Sequence, residues 1–94
     1  MNIFNVVLTK QAKKNLIKTP AYIVHKLLGW VDEIENVGLN AVRKIPGYHD
    51  EPLRGNRIGQ RSIRLNKAYR AIYIINQKGD IEIIEVLEVN KHDY

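Results

Sequence analysis

Arginine is the side chain best suited to gripping phosphate, because its planar guanidinium offers two parallel N–H donors to one phosphate group. The chain concentrates it in one region: Arg54, Arg57, Arg61, Arg64 and Arg70, with Lys67 among them and Arg43 and Lys44 just before. A merely solvated surface would be served equally well by lysine. The bias to arginine therefore points to a polyanion, whose sequence-independent affinity comes from neutralising phosphates and releasing their counterions.

Two more candidates lie at either end of this array. The chain closes with Asn90-Lys91-His92-Asp93-Tyr94. Chain ends ordinarily fray, but an imidazole within reach of arginines suits proton transfer near neutral pH, and a tyrosine can stack on a base or bond a phosphate. Glu51 stands between Asp50 and Pro52. By spacing alone it is an ordinary loop carboxylate; beside arginines it is a candidate acceptor for a ribose hydroxyl proton. Together the three fit RNA cleavage without a metal, in which the 2′-OH attacks the adjacent phosphate. That reaction needs a base for the hydroxyl, an acid for the leaving 5′-oxygen and cations for the charge building on phosphorus. Glu51, His92 and the arginines supply one each.

Composition narrows the alternatives. The 94 residues suit one domain spanning 1–94, and 45% apolar with 27% charged residues is ordinary for a globular chain. The net charge of +5 is uneven. Residues 1–40 hold five Lys/Arg and three Asp/Glu, residues 41–70 hold eight and two, and residues 71–94 hold two and five. The positive field belongs to the middle third. The absence of cysteine excludes disulfides and thiolate chemistry, and His25, His49 and His92 stand too far apart to form a metal-ligand motif. The longest apolar run, Ala71 to Ile75, is far short of a membrane span, and the N-terminal lysines follow the apolar residues where a secretory signal would put them first. A cytoplasmic protein without a membrane partner or cofactor is expected.

These residues have to be held by elements that the patterning predicts. Ile3 to Leu8 is short and β-branched, hence a strand. Thr9 caps a helix running from Lys10 through Ile17, with Ala12 and Leu16 inward. Thr19-Pro20 reads as the cap and first position of a second helix, whose Ile23, Val24, Leu27, Leu28, Val31 and Ile34 recur at three- and four-residue spacing up to Gly38. Gly29 inside it suggests close approach by another element, since a helical glycine otherwise costs about 1 kcal/mol against alanine. Pro46, Gly47, Pro52, Gly55 and Gly59 make residues 46–60 a long loop. Ser62 to Leu65, Tyr69 to Ile75 and Ile81 to Val89 read as strands, the last two joined by a turn at Asn76 to Asp80. Glu82, Glu85 and Glu88 recur at a helical interval, but the Ile and Val between them favour strand. The expected class is α+β, in the order β-α-α-β-β-β, with a helical hairpin on one face of a largely antiparallel sheet and the other face open.

Glu51-Pro52-Leu53-Arg54-Gly55, Ser62-Ile63-Arg64-Leu65, Tyr69-Arg70-Ala71-Ile72-Tyr73 and Asn90-Lys91-His92-Asp93-Tyr94, in that order, resemble the RelE/ParE superfamily of type II toxin-antitoxin toxins. In pattern they are nearest its YoeB and HigB branches. The resemblance implies a RelE-like fold and a ribosome-dependent messenger-RNA endonuclease, an mRNA interferase that inhibits translation and is held inactive by a cognate antitoxin. It also implies Glu51 as the base, Arg64, Arg70, His92 and Tyr94 as further catalytic residues and Arg54 as the basic residue after the base; with Arg54, the charged residues Arg57, Arg61, Lys67 and Lys91 are the expected RNA contacts. YoeB-like toxins have the terminal His and Tyr adjacent, whereas here Asp93 separates them. The lysine pair of RelE itself is not evident. Two other readings share the fold: a ParE-like toxin that binds DNA gyrase, and a module that binds RNA or the ribosome without cutting. His92 and the arginine series count against the first, since gyrase inhibition does not need them.

Overall fold

The computed structural model describes residues 2–91. Its first strand, β1, is Val6–Leu8, shorter than the predicted run because the carbonyl of Ile3 turns away to accept the Leu39 N–H at 2.8 Å. Thr9 follows at once and starts helix α1, Lys10–Ile17, its hydroxyl accepting the Ala12 N–H at 3.1 Å as a favoured N-cap does.

Helix α2, Ala21–Val37, begins without a side-chain cap. Thr19, expected to cap it, instead donates its hydroxyl to the Asn15 carbonyl at 2.7 Å and closes α1. Only Lys18, Thr19 and Pro20 separate the two helices, so Thr19 is still within reach of the last turn of α1. The buried stripe of α2 is Ile23, Leu27, Trp30 and Ile34; Leu28, predicted inward, is exposed. Gly29 was also expected to admit a neighbour, yet a β-carbon there would meet nothing within 4 Å. Gly38 does need its freedom: φ is +85°, and the Asn2 side chain fills the space where a β-carbon would stand. After this turn comes a one-turn helix, α3, Leu39–Val42.

The predicted loop at 46–60 is built of two 3-10 turns, Pro46–Tyr48 and Gly55–Arg57, around a two-residue edge strand β2, Glu51–Pro52. Strands β3, Arg61–Arg64, β4, Tyr69–Lys78, and β5, Ile81–Lys91, complete the chain. The sheet order is β1-β5-β4-β3-β2, parallel only at β1–β5. Beyond the predicted order, α3 and β2 are additions. Lys78 pairs with Ile81 across Gly79 and Asp80, so the hairpin turn is tighter than predicted; Gly79 sits at φ +60°, as such two-residue turns require.

The helices cover one face of the sheet. Ala12, Ile23, Leu27, Trp30 and Ile34 pack on Ile63, Ala71, Tyr73, Ile84, Val86 and Val89. Trp30 and Tyr73 have ring centroids 5.3 Å apart, tilted by 46°, a geometry that adds about 0.5–1.5 kcal/mol to the burial itself.

A β-bulge decides which β5 side chains reach the other face. Ile72 pairs with Glu88 but Tyr73 pairs with Val86, leaving Leu87 as an extra residue. Thr9 docks there, donating its N–H to the Val86 carbonyl at 3.1 Å and its hydroxyl to the Leu87 carbonyl at 2.9 Å. Asn15 accepts the Val89 N–H at 3.1 Å. Strict alternation from Ile84 and Val86 would send Glu88 and Asn90 into the core, because a one-residue shift exchanges the two faces. The bulge puts Val89 inside and Glu88 and Asn90 outside. It also accounts for the three-residue interval from Glu85 to Glu88 that resembles helical spacing.

The face away from the helices is less open than predicted. Ile72 points there yet is fully buried. From the loop beyond β2, Arg57 reaches across β4 at the level of Ile72 to Glu88, Nη2 to Oε1 at 2.7 Å, forming a strap over that part of the sheet.

Candidate active site

Beyond the strap the same face is polar. Register brings Glu51 beside Ser62, and sets Arg64, Arg70 and Asn90 in a row across β3, β4 and β5. Three of the sequence-predicted residues, Glu51, Arg64 and Arg70, thus meet around one pocket of about 150 Å³, together with Lys67. The turn between β3 and β4 is shaped by Asn66, whose Oδ1 accepts the N–H groups of Ala68 at 2.8 Å and Tyr69 at 2.7 Å; Lys67, held in that turn, is exposed. The buried Nε of Arg70 has no hydrogen-bond partner among the described residues. An unpaired buried donor is costly, and an anion bound between Arg64 and Arg70 would satisfy it.

The segment carrying Glu51 is anchored one residue earlier. Asp50 is almost wholly buried, with 1% of its side chain exposed. It accepts Arg61 Nε at 2.7 Å on one carboxylate oxygen and the Tyr73 hydroxyl at 2.6 Å on the other. Burial, then the hydrogen bond and charge of Asp50, push the Tyr73 phenol up, against an opposing pull from Arg43. For Arg61, burial works downward, but the hydrogen bond to Asp50 and its charge outweigh it and the net shift is up. Both groups are held in the form that serves Asp50. On the other side of the segment, Tyr48 donates to Glu33 at 2.7 Å.

The arginine series therefore divides. Arg64 and Arg70 line the pocket with Lys67. Arg61 points to the helix side and binds Asp50; Arg57 holds the strap through Glu88 and Gln60. Arg54 is exposed on the loop, and Lys91 is exposed at the end of β5, opposite Tyr69. His92 and Tyr94 lie outside the described residues. His49 and Tyr69 line the pocket without having been singled out in the sequence. The Pro46-Gly47 turn signal just before His49 was the only local hint that this histidine would end a turn beside the pocket.

No family model matches the chain, and no curated protein does so. Solved structures do. A YoeB/ParE toxin from Agrobacterium tumefaciens is 21% identical, with 95% of this chain and 99% of that chain covered and a TM-score of 0.67. The YoeB dimer from Staphylococcus aureus is 20% identical, with both chains covered completely and a TM-score of 0.61. The toxin-antitoxin complex RelBE2 from Mycobacterium tuberculosis is 26% identical over 96% of this chain and 99% of that chain, with a TM-score of 0.59. The backbones agree over nearly the whole chain, and the chain has the fold of the RelE/ParE superfamily of toxins.

Proposed function

We propose that the protein is the toxin of a type II toxin-antitoxin pair and acts as a ribosome-dependent messenger-RNA endonuclease. The observation that carries this reading is the meeting of Glu51, Arg64 and Arg70 around one pocket on the sheet face away from the helices. Glu51 is the base for the 2′-OH; Arg64 and Arg70 stabilise the charge that builds on the phosphate, a contribution often worth about 10²–10³ in rate for a single donor. His92 is the acid for the leaving 5′-oxygen and Tyr94 contacts the nucleotide. Lys67 at the pocket and the exposed Arg54 and Lys91 are RNA contacts, whereas Arg57 and Arg61, tied to Glu88 and Asp50, serve to hold the site. None of these roles calls on a metal ion. A cognate antitoxin is the natural partner, as in the RelBE2 complex that shares the fold.

Adding the purified protein to a translating extract and mapping messenger ends tests the reading. Codon-spaced cuts that require ribosomes are expected. Relaxed plasmid with intact messenger would replace it by gyrase inhibition, and stalled ribosomes on intact messenger by a non-cleaving binder.

A further inference from the structure

His49 ends the Pro46–Tyr48 turn at φ 45° and ψ 49°, the one non-glycine residue at positive φ among the described residues. A β-carbon makes this conformation unfavourable, and glycine or asparagine would adopt it more readily. The strain is held from both sides: the His49 N–H donates to the Pro46 carbonyl at 3.1 Å, and the next residue is the clamped Asp50. Outliers of this kind, maintained against an easy remedy, gather at functional sites. The imidazole is solvent-exposed and lines the same pocket as Glu51, with Arg64, Lys67, Tyr69 and Arg70 as the other charged or titratable groups.

Direction matters in this chemistry, because the attacking and leaving oxygens of a phosphoryl displacement stand roughly in line on opposite sides of phosphorus. His49 and Glu51 come from one short segment at the β2 edge. The turn after β3 and the start of β4 bound the pocket elsewhere. Both residues therefore belong to one side of the reacting phosphate.

Resting on the ribonuclease reading above, we infer that the base of this site is a pair, His49 acting with Glu51 on the attacking hydroxyl. The 2′-O–H bond breaks and its proton passes to the pair, while the 2′-oxygen bonds to phosphorus. The bond from phosphorus to the 5′-oxygen breaks, and that oxygen takes a proton from the acid on the far side. The products are a 2′,3′-cyclic phosphate and a 5′-hydroxyl, with no change of oxidation state. Imidazole is the side chain suited to such transfers near neutral pH, and the exposed His49 can return the proton to water.

The test uses ribosomes programmed with messenger that carries either an ordinary linkage or a sulfur in place of the leaving 5′-oxygen, which departs without an acid. His49→Asn and His49→Gly suit the left-handed backbone, so both should melt at or above the parent temperature. Both should nevertheless cut more slowly, by about 10- to 100-fold, the lower range for general-base catalysis. The sulfur linkage should rescue neither, because the defect lies on the attacking side. Combining His49→Asn with Glu51→Gln should cost no more than Glu51→Gln alone, as for groups that act as a unit. Parent-like cutting by both His49 variants, rescue by sulfur, or losses that multiply in the double variant would each overturn the pair while leaving the ribonuclease reading intact. Uncut messenger with the parent protein would remove that reading and the pair with it.

Discussion

Arg70 is where charge and geometry are most at odds. Its cross-strand neighbour is Arg64, and its own Nε is buried without a partner among the described residues. Lysine at this position would keep the charge and lose the fork. Arg70→Lys is expected to lower cleavage by about 10²–10³ with ribosome binding nearly unchanged, as for loss of one preorganised donor; single-turnover rates on programmed ribosomes measure it. His92→Gln should cost about 10²–10⁴ if His92 is the acid, and the sulfur linkage should rescue it but not Arg70→Lys. Tyr73 gives a test by pH. Its phenol is pushed up from an ordinary value of 10.0 by burial and by Asp50, so the neutral form is the folded one. The stability this contributes is complete below pH 10 and is lost as pH rises above it. Tyr73→Phe should flatten the fall in melting temperature through alkaline pH, leaving the share due to Tyr48, which burial also pushes up. Arg64 and Arg70 were legible as neighbours because local patterning puts both in strands, whereas Glu51 was expected in a loop and lies on the added strand β2. The commitments of Arg57 to Glu88 and Arg61 to Asp50 were not legible, since the partners lie 31 and 11 residues away and only tertiary packing joins them.

The elements were legible to the degree that their signals are local. Thr9 and the apolar spacing of α2 marked α1 and α2 because caps and periodicity act within a few residues. The bulge at Leu87 was hidden because it depends on Thr9 and Asn15 docking from α1, over 70 residues earlier in the chain. The glycines of α2 and its C-terminal turn show the same contrast. Gly38 is required by its positive φ and by Asn2 above it, whereas Gly29 faces open space. Gly29→Ala should therefore stabilise the protein by up to about 1 kcal/mol, the difference in helix propensity, and Gly38→Ala should destabilise it. Denaturant midpoints at unchanged slope measure both. A loss of stability in Gly29→Ala would mean that an approach to this helix matters after all.

Across the molecule, charge is sorted by sequence third and then by place along the sheet. The middle third brings Arg64, Lys67 and Arg70 to the pocket, while Glu82 and Glu85 stay on β5 further from it. A surface of this kind attracts any polyanion, messenger included, by a long-range field that salt screens within about 10 Å at 0.1 M. An antitoxin that neutralises the protein before it meets a ribosome has to compete with that attraction, and covering the basic face does so most directly. The expected partner is therefore a segment carrying carboxylates, laid across the face that bears Glu51, Arg64 and Arg70. Association should be fast at low salt and should slow markedly as salt is raised, with dissociation much less affected, because steering acts on encounter. Stopped-flow mixing of toxin and antitoxin over a range of salt concentrations measures both rates. Arg64→Gln should reduce the salt dependence of association, since it removes a charge from the rim of the pocket. A complex in which the antitoxin sits solely against α1 and α2, leaving Arg64 and Arg70 bare, would rule out direct occlusion and require inhibition by another route.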